Sequence, residues 1–389
     1  MAVTLTNADK ALKNLYLDVV AEQLNTQTNP FLSVIKHSTD DVWGKEVRKL
    51  AVYGLNGGIG AGTEDGDLPN ATGNNYEQFV LTLKNLYGTI EISDKAIRAS
   101  ENNSGAFVSL LNAEMEGLLK ASGFNFGRML FGDGSGELAS VESVSDRTIV
   151  LDSVKNVIEG MVIDVRDESG VIVEGGASKR IVSIDRKNKS IVISGVVAGA
   201  SAGNVITVQG SFNNELTGLK AIFGDSENLY GLNKATHGWL NPYKKDLAGE
   251  TITELDIQTA IDSIEEQSGG SVNFIICSWG VRRALQKLFA ENNRNVNVEV
   301  LAGGYKAMTY NGIPIVADRF CPEGTMYLLN TNDFTLCQLC DWQWLEGEDG
   351  KVLKQIAGKP VYTATLVKYA DLICARPIGQ GVITGITEA

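Results

Sequence analysis

Residues 132–211 contain no Phe, Tyr, Trp, Pro or Cys, and that gap constrains the fold more than any other feature of the 389-residue chain. Val and Ile gather there in short runs: Ile149-Val150-Leu151, Met161-Val162-Ile163, Val171-Ile172-Val173, Ile181-Val182-Ser183-Ile184, Ile191-Val192-Ile193 and Val205-Ile206-Thr207-Val208. Turn-forming stretches such as Asp167-Glu168-Ser169-Gly170 and Asp185-Arg186-Lys187-Asn188 separate them. β-branched runs at intervals of about 8–12 residues predict a small all-β barrel or sandwich. The break in composition at both ends marks it as an inserted domain.

Ahead of this insert the pattern is helical. Ser104 is a candidate cap, and Val108, Leu111, Met115, Leu118, Phe126 and Met129 recur on one face through Phe131. A helix of about 28 residues would be about 42 Å long. Gly117, Gly123 and Gly127 interrupt it, which predicts a bend or a close backbone approach.

Further upstream, Trp43 to Tyr53 and Tyr76 to Ile92 read as two β-rich runs. Between them, residues 54–75 hold seven glycines, three acids and no base. Two strands with arms of about 11 residues reach about 35 Å, yet a lone hairpin is marginal in water, so a neighbour is expected to order it. At the start, Leu12, Leu15, Tyr16, Val19, Val20 and Leu24 predict an amphipathic helix, capped by Thr6 or Asn7 and stopped by Asn29-Pro30. Its single apolar stripe needs another domain or subunit to cover it.

Past the insert, elements mix. Thr253 opens a helix with Leu255, Ile257, Ile261 and Ile264. A strand from Val272 to Cys277 follows, and Ser278 caps a helix carrying Val281, Leu285, Leu288 and Phe289. Strands then dominate at Ile313 to Val316, Thr325 to Leu329, Phe334 to Leu339, Val361 to Val367 and Leu372 to Cys374. Helices beside a sheet without regular βαβ alternation indicate an α+β fold.

The search for chemistry returns little. Lys and Arg number 34 against 47 Asp and Glu, a net charge of −13, so a phosphate backbone is repelled and nucleic-acid readers are disfavoured. Two histidines, His37 and His237, leave few ways to build a general base or an imidazole metal site. Five cysteines, all in the last third, fit a reducing compartment such as the cytoplasm better than a disulfide framework. No apolar stretch is long enough to span a membrane.

Local motifs read as structure. Gly199-Ala200-Ser201-Ala202-Gly203 has the nucleophile-elbow spacing, but a strand follows it instead of a helix, which predicts a hairpin turn. Cys337-Gln338-Leu339-Cys340 lacks a second ligand pair and reads as a strand with apolar thiols. Gly57 to Gly62 lacks the Lys of a phosphate loop, and Asp133 to Glu137 lacks the closing Glu of a calcium loop. No catalytic, cofactor-binding or metal-binding residues are assigned, and no enzyme is expected.

An arm, a long two-stranded loop, a long helix, an inserted β domain and a mixed α+β domain together form an order that resembles the major capsid protein of tailed bacteriophages. The residues that carry the resemblance are Tyr87 to Ser93 ahead of the helix Ser104 to Phe131, Asn273 to Cys277 feeding the helix from Val281, and Tyr310 to Asp318 followed by Pro322 to Leu329. The resemblance implies an N-terminal arm (1–41), an extended loop (42–92), a peripheral domain with the spine helix (93–131), the insertion (132–211) and more peripheral domain (212–250). An axial domain (251–324), peripheral strands (325–370) and an axial return (371–389) would follow.

By the same resemblance the function is structural: self-assembly into hexamers and pentamers of an icosahedral virion shell, built in the host bacterial cytoplasm. The shell would enclose double-stranded DNA without specific binding. Partners would be further copies of the chain, a portal protein, a possible decoration protein and, if Met1 is the native start, a separate scaffolding protein. Trp43, Tyr53, Tyr76, Phe79, Leu12, Leu15 and Val19 are the candidate subunit-interface residues. An encapsulin-type nanocompartment shell and a β-rich tail-tube or other virion protein are the alternatives.

Overall fold

The computed structural model describes residues 29–40, 42–44, 46–95, 104–291, 298–300, 306–347, 350 and 352–389. The arm helix, with Leu12, Leu15 and Val19, lies outside the described residues. The fold is α+β, as the sequence predicts, and it is organised around three hydrophobic cores.

The insert closes into a barrel. Its strands, in neighbour order, are Ser190–Ile193, Thr148–Leu151, Glu137–Ser145, Val205–Val208, Val162–Arg166 and Lys179–Asp185. Alternate positions turn inward, and Ile149, Leu151, Ile163, Val165, Ile191 and Ile206 are fully buried in a core that excludes every aromatic residue. Two expectations need correction. Val171-Ile172-Val173 forms only one bridge, between Ile172 and Arg166, because it lies in a loop with Val171 exposed. Glu137–Ser145, too polar to stand out in the sequence, takes a place in the barrel instead.

The barrel is tied to the body where the chain enters and leaves it. Arg128, near the end of the long helix Ser104–Met129, forms a two-pronged ion pair with Glu215, Nη1 to Oε2 at 2.8 Å and Nη2 to Oε1 at 2.5 Å, with both side chains buried. Lys220 pairs with Asp133 at 2.8 Å. Asp371 accepts from the Thr217 main-chain N–H at 2.7 Å and from its hydroxyl at 3.0 Å. The long helix packs closely on its surroundings, and a Cβ on Gly127 would stand 2.1 Å from Asn29 Oδ1 and 2.6 Å from a Phe320 ring atom. Close approach therefore explains this glycine.

Two sheets make up the body. In the first, Phe334–Trp344 pairs antiparallel with Val361–Cys374, which also pairs with Lys84–Ser93 and with Lys354–Gln355, while Lys36–Ser38 runs parallel at the outer edge. The second has seven strands in the order Tyr243–Asp246, Gly381–Thr384, Met326–Leu329, Phe274–Cys277, Ile313–Ala317, Lys306–Tyr310 and Val298–Val300. Helices Glu254–Ser268 and Trp279–Glu291 cover it with Ile257, Ile261, Ile264, Val281, Leu285 and Phe289. Thr253 and Asp256 form a reciprocal cap on the first helix, and Ser278 Oγ accepts from the Val281 N–H on the second. Leu255, expected on the buried face, is exposed instead.

Tyr243–Asp246 and Met326–Leu329 both pair within the seven-stranded sheet. Asp371 to Cys374 belong to the first sheet, and the chain returns to the second only at Gly381. Asn29 precedes a short helix, Pro30–Val34, with Pro30 in the first turn where a missing N–H costs nothing, and the segment that Asn29-Pro30 is expected to stop lies outside the described residues.

Candidate assembly surface

The segment 42–92 divides into two structures. Glu46–Tyr53 pairs antiparallel with Asn75–Thr82 over eight residues each, from Glu46 opposite Thr82 to Tyr53 opposite Asn75. Lys84–Ser93 then leaves this hairpin for the first sheet. The run from Tyr76 to Ile92 is therefore two strands, and the hairpin arms are shorter than expected, at about 26 Å.

Strand alternation gives the hairpin two unlike faces. Val47, Ala51, Phe79 and Leu81 are buried against the chain's own body. The Phe79 ring lies 5.3 Å from Tyr230 and 5.6 Å from Trp239, and Tyr53 stacks on Trp239 at 5.4 Å and 12°. A main-chain hydrogen bond from Val80 N–H to the Tyr230 carbonyl fastens the strand at 3.0 Å. The hairpin base thus needs no neighbour to hold it, contrary to the expectation from two strands alone.

On the opposite face Leu50 is 61% exposed, Val52 63% and Tyr76 53%, with Val52 directly across from Tyr76. These three side chains form an apolar strip in water, and large contiguous patches of that kind are where partners bind. Beyond the arms, residues 54–74 are almost wholly exposed, including Leu55, Ile59 and Leu68. Asn56 closes the neck of this loop, donating to Asn74 Oδ1 at 3.2 Å and accepting from Thr72 Oγ1 at 3.1 Å.

The candidate interface residues separate accordingly. Tyr76 lies on the open face, Tyr53 is half-buried against Trp239, and Phe79 has no surface to offer a neighbour. The backbone of Trp43 pairs with Glu46, and its side chain lies outside the described atoms. Leu50 and Val52 were missed, although the alternation in Glu46-Val47-Arg48-Lys49-Leu50-Ala51-Val52-Tyr53 contains the signal: both odd and even positions carry apolar residues, so one set had to face outward.

The chemical motifs occupy structural positions. Ser201 sits in a turn where its N–H donates to Asn204 Oδ1 at 2.7 Å. Cys337 and Cys340 lie within the strand Phe334–Trp344, and Asp133 is engaged by Lys220 and Ser135. Among the described residues no cluster of three or more His, Cys, Asp or Glu could hold a metal, and no helix is long and apolar enough to cross a membrane.

Two buried carboxylates respond to pH. Burial pushes the Asp371 carboxyl up to about 7 and that of Asp318 up to about 6. Both folded values exceed the unfolded one, so the folded state holds more protons between about pH 4 and 7 and stability falls as pH rises through that window. Asp371→Asn should flatten this decline by an amount on the order of a few kcal/mol across the window. Urea midpoints at pH 4.5, 6 and 7.5 measure it; parallel curves for wild type and variant would contradict the assignment.

Comparisons with known proteins fit this geometry. The family model of the SU10 major capsid protein matches residues 176–350, from within the barrel to the first sheet. The cyanophage A-1(L) capsid subunit superposes with a TM-score of 0.57 at 13% identity, covering 93% of this chain and 94% of that one. Mycobacterium phage Bobi (10% identity, TM-score 0.48, 99% of both chains) and the SrpI encapsulin of Synechococcus elongatus (11%, 0.47, 95% of both) are more distant. No curated protein matches the sequence. The resemblance to tailed-phage major capsid proteins is borne out: the chain has the fold of a phage capsid subunit, and over residues 176–350 it matches the SU10 major capsid protein family.

Proposed function

We propose that the chain is a structural shell subunit, a major capsid protein that assembles into hexamers and pentamers of an icosahedral virion shell around double-stranded DNA. The observation that carries this reading is the outward face of the hairpin, Leu50, Val52 and Tyr76, on a base already secured to its own body. A heterologous contact, in which this face meets a different surface of the next copy, generates rings when the rotation closes. The negative charge of −13 suits a wall that does not grip packaged DNA.

In this reading residues 42–82 are the extended loop, Ser104–Met129 is the spine helix of a peripheral domain, the seven-stranded sheet is the axial domain, and the barrel is an insertion on the shell. No catalytic role is assigned. Scaffolding, portal and decoration proteins would be its partners, and assembly would occur in the host cytoplasm.

Leu50→Asp combined with Val52→Asp tests it. The isolated subunit should keep its melting temperature within a few degrees, since both side chains are solvated, while particle yield in sedimentation should drop at least about tenfold. Undiminished particles from the double variant would refute the hairpin's role.

A further inference from the structure

We propose that the acidic hairpin tip of one copy, residues 54–74, seats in the basic cleft between the barrel and the seven-stranded sheet of a neighbouring copy. The proposal rests on the shell reading above and names the surface that receives the loop.

The cleft has a volume of about 470 Å³ and is lined by five basic side chains, Lys155, Arg186 and Lys189 from the barrel with Arg283 and Arg319 from the body, against three acids. In a chain with 47 acids and 34 bases this local balance is inverted. One of the three acids, Glu388, is already occupied, accepting from Ser278 Oγ and from the Gly324 N–H. Arg283 donates its Nε–H to an oxygen of Ala389, whereas among the described residues the other four cations make no close ion pair. Lys155 and Lys189 donate to the main-chain carbonyls of Cys321 and Asp152, and Arg319 lies over the rings of Phe124 and Phe320. Among the described residues none of these three has a carboxylate within 4 Å, although Lys155 and Arg319 lie in the field of the buried Asp318 carboxyl. Arg186 has only a long, exposed pairing with Glu159 at 3.7 Å.

The loop supplies the opposite pattern. Glu64, Asp65 and Asp67 are exposed, with no base anywhere in 54–74, and Leu55, Ile59 and Leu68 stand out from the same loop. The cleft answers the apolar part as well as the charge, with half-exposed Trp279 and with Val154 in its lining. The neck closed by Asn56 and Thr72 presents the loop as a narrow projection. Complementary charge of this kind selects the partner and its register, and it weakens with added salt.

Charge exchange tests the contact. The loop variant E64K/D65K/D67K and the cleft variant R186E/R319E should each raise the protein concentration needed for particle formation by about tenfold, and combining them in one chain should restore assembly to near wild type. Circular dichroism of the unassembled protein checks folding. As an independent readout, particles formed from D65C/R186C should yield subunits linked by disulfides on mild oxidation, whereas D65C and R186C alone should not. Wild-type assembly from the charge variants, no rescue in the combination, or no linked subunits from folded, assembled D65C/R186C would each overturn the contact while leaving the shell reading intact. A wild-type protein that forms no particles would overturn both.

Discussion

Arg128→Ala is expected to destabilise the subunit by about 3–5 kcal/mol, because it leaves Glu215 as a buried, unpaired carboxylate. The two side chains are 4% and 3% exposed and meet in a two-pronged ion pair, so water cannot replace the lost partner. The residues are 87 positions apart, one on the long helix and one beyond the barrel. The pair therefore holds the two stems of the insert together, and its loss should loosen the barrel as well as the body. Replacing both partners, Arg128→Met with Glu215→Leu, should recover most of the stability, since an apolar pair of similar size avoids the cost of desolvating two charges. Urea unfolding of both variants beside the wild type measures this. A loss below about 1 kcal/mol for Arg128→Ala would mean that Glu215 finds another partner.

Phe79→Ala should cost a comparable amount, about 3–5 kcal/mol, for a different reason: it empties the space between the hairpin and the aromatic pair Tyr230 and Trp239. Phe79 is 1% exposed, so the whole ring contributes to the core. The hairpin would separate from the body before the sheets unfold, and amide exchange at Val80, which donates to the Tyr230 carbonyl, should rise accordingly. Tyr76→Ala, three residues away but on the solvated face, should change subunit stability by no more than about 0.5 kcal/mol. Equal losses for the two substitutions would contradict the assignment of faces.

The barrel, the long helix and both capped helices of the second half were legible because each rests on a local pattern of period two or 3.6 with a visible stop. The strand Val361–Cys374 was not. Lys368 and Asp371 made it read as two short strands, since charge inside an apolar run ordinarily signals a break. Their hydrogen-bond partners lie far away in sequence. Lys368 Nζ reaches Gln338 Oε1 at 2.9 Å and Asp341 Oδ1 at 2.5 Å above the Phe126 ring, and Asp371 is occupied by Thr217. Burial lowers the affinity of Lys368 for its proton, while Asp341 beside it works in the opposite direction.

The proposed assembly face was legible in outline only. Tyr53, Tyr76 and Phe79 all belong to the hairpin, but aromatic character alone does not reveal which face a side chain takes. Pairing register decides that, and it depends on Tyr230 and Trp239 arriving from a segment beyond the barrel. The basic cleft was invisible for the same reason: Lys155, Arg186 and Arg319 are scattered along the chain and converge only when the barrel meets the body.

If the chain is a shell subunit, as proposed, electron microscopy of the purified wild-type protein will see its assemblies without any substitution. Closed particles of uniform diameter, dispersing when Leu50 and Val52 are both replaced by aspartate, are the expected result. A protein that remains a monomer at high concentration, in low and in moderate salt, would contradict it.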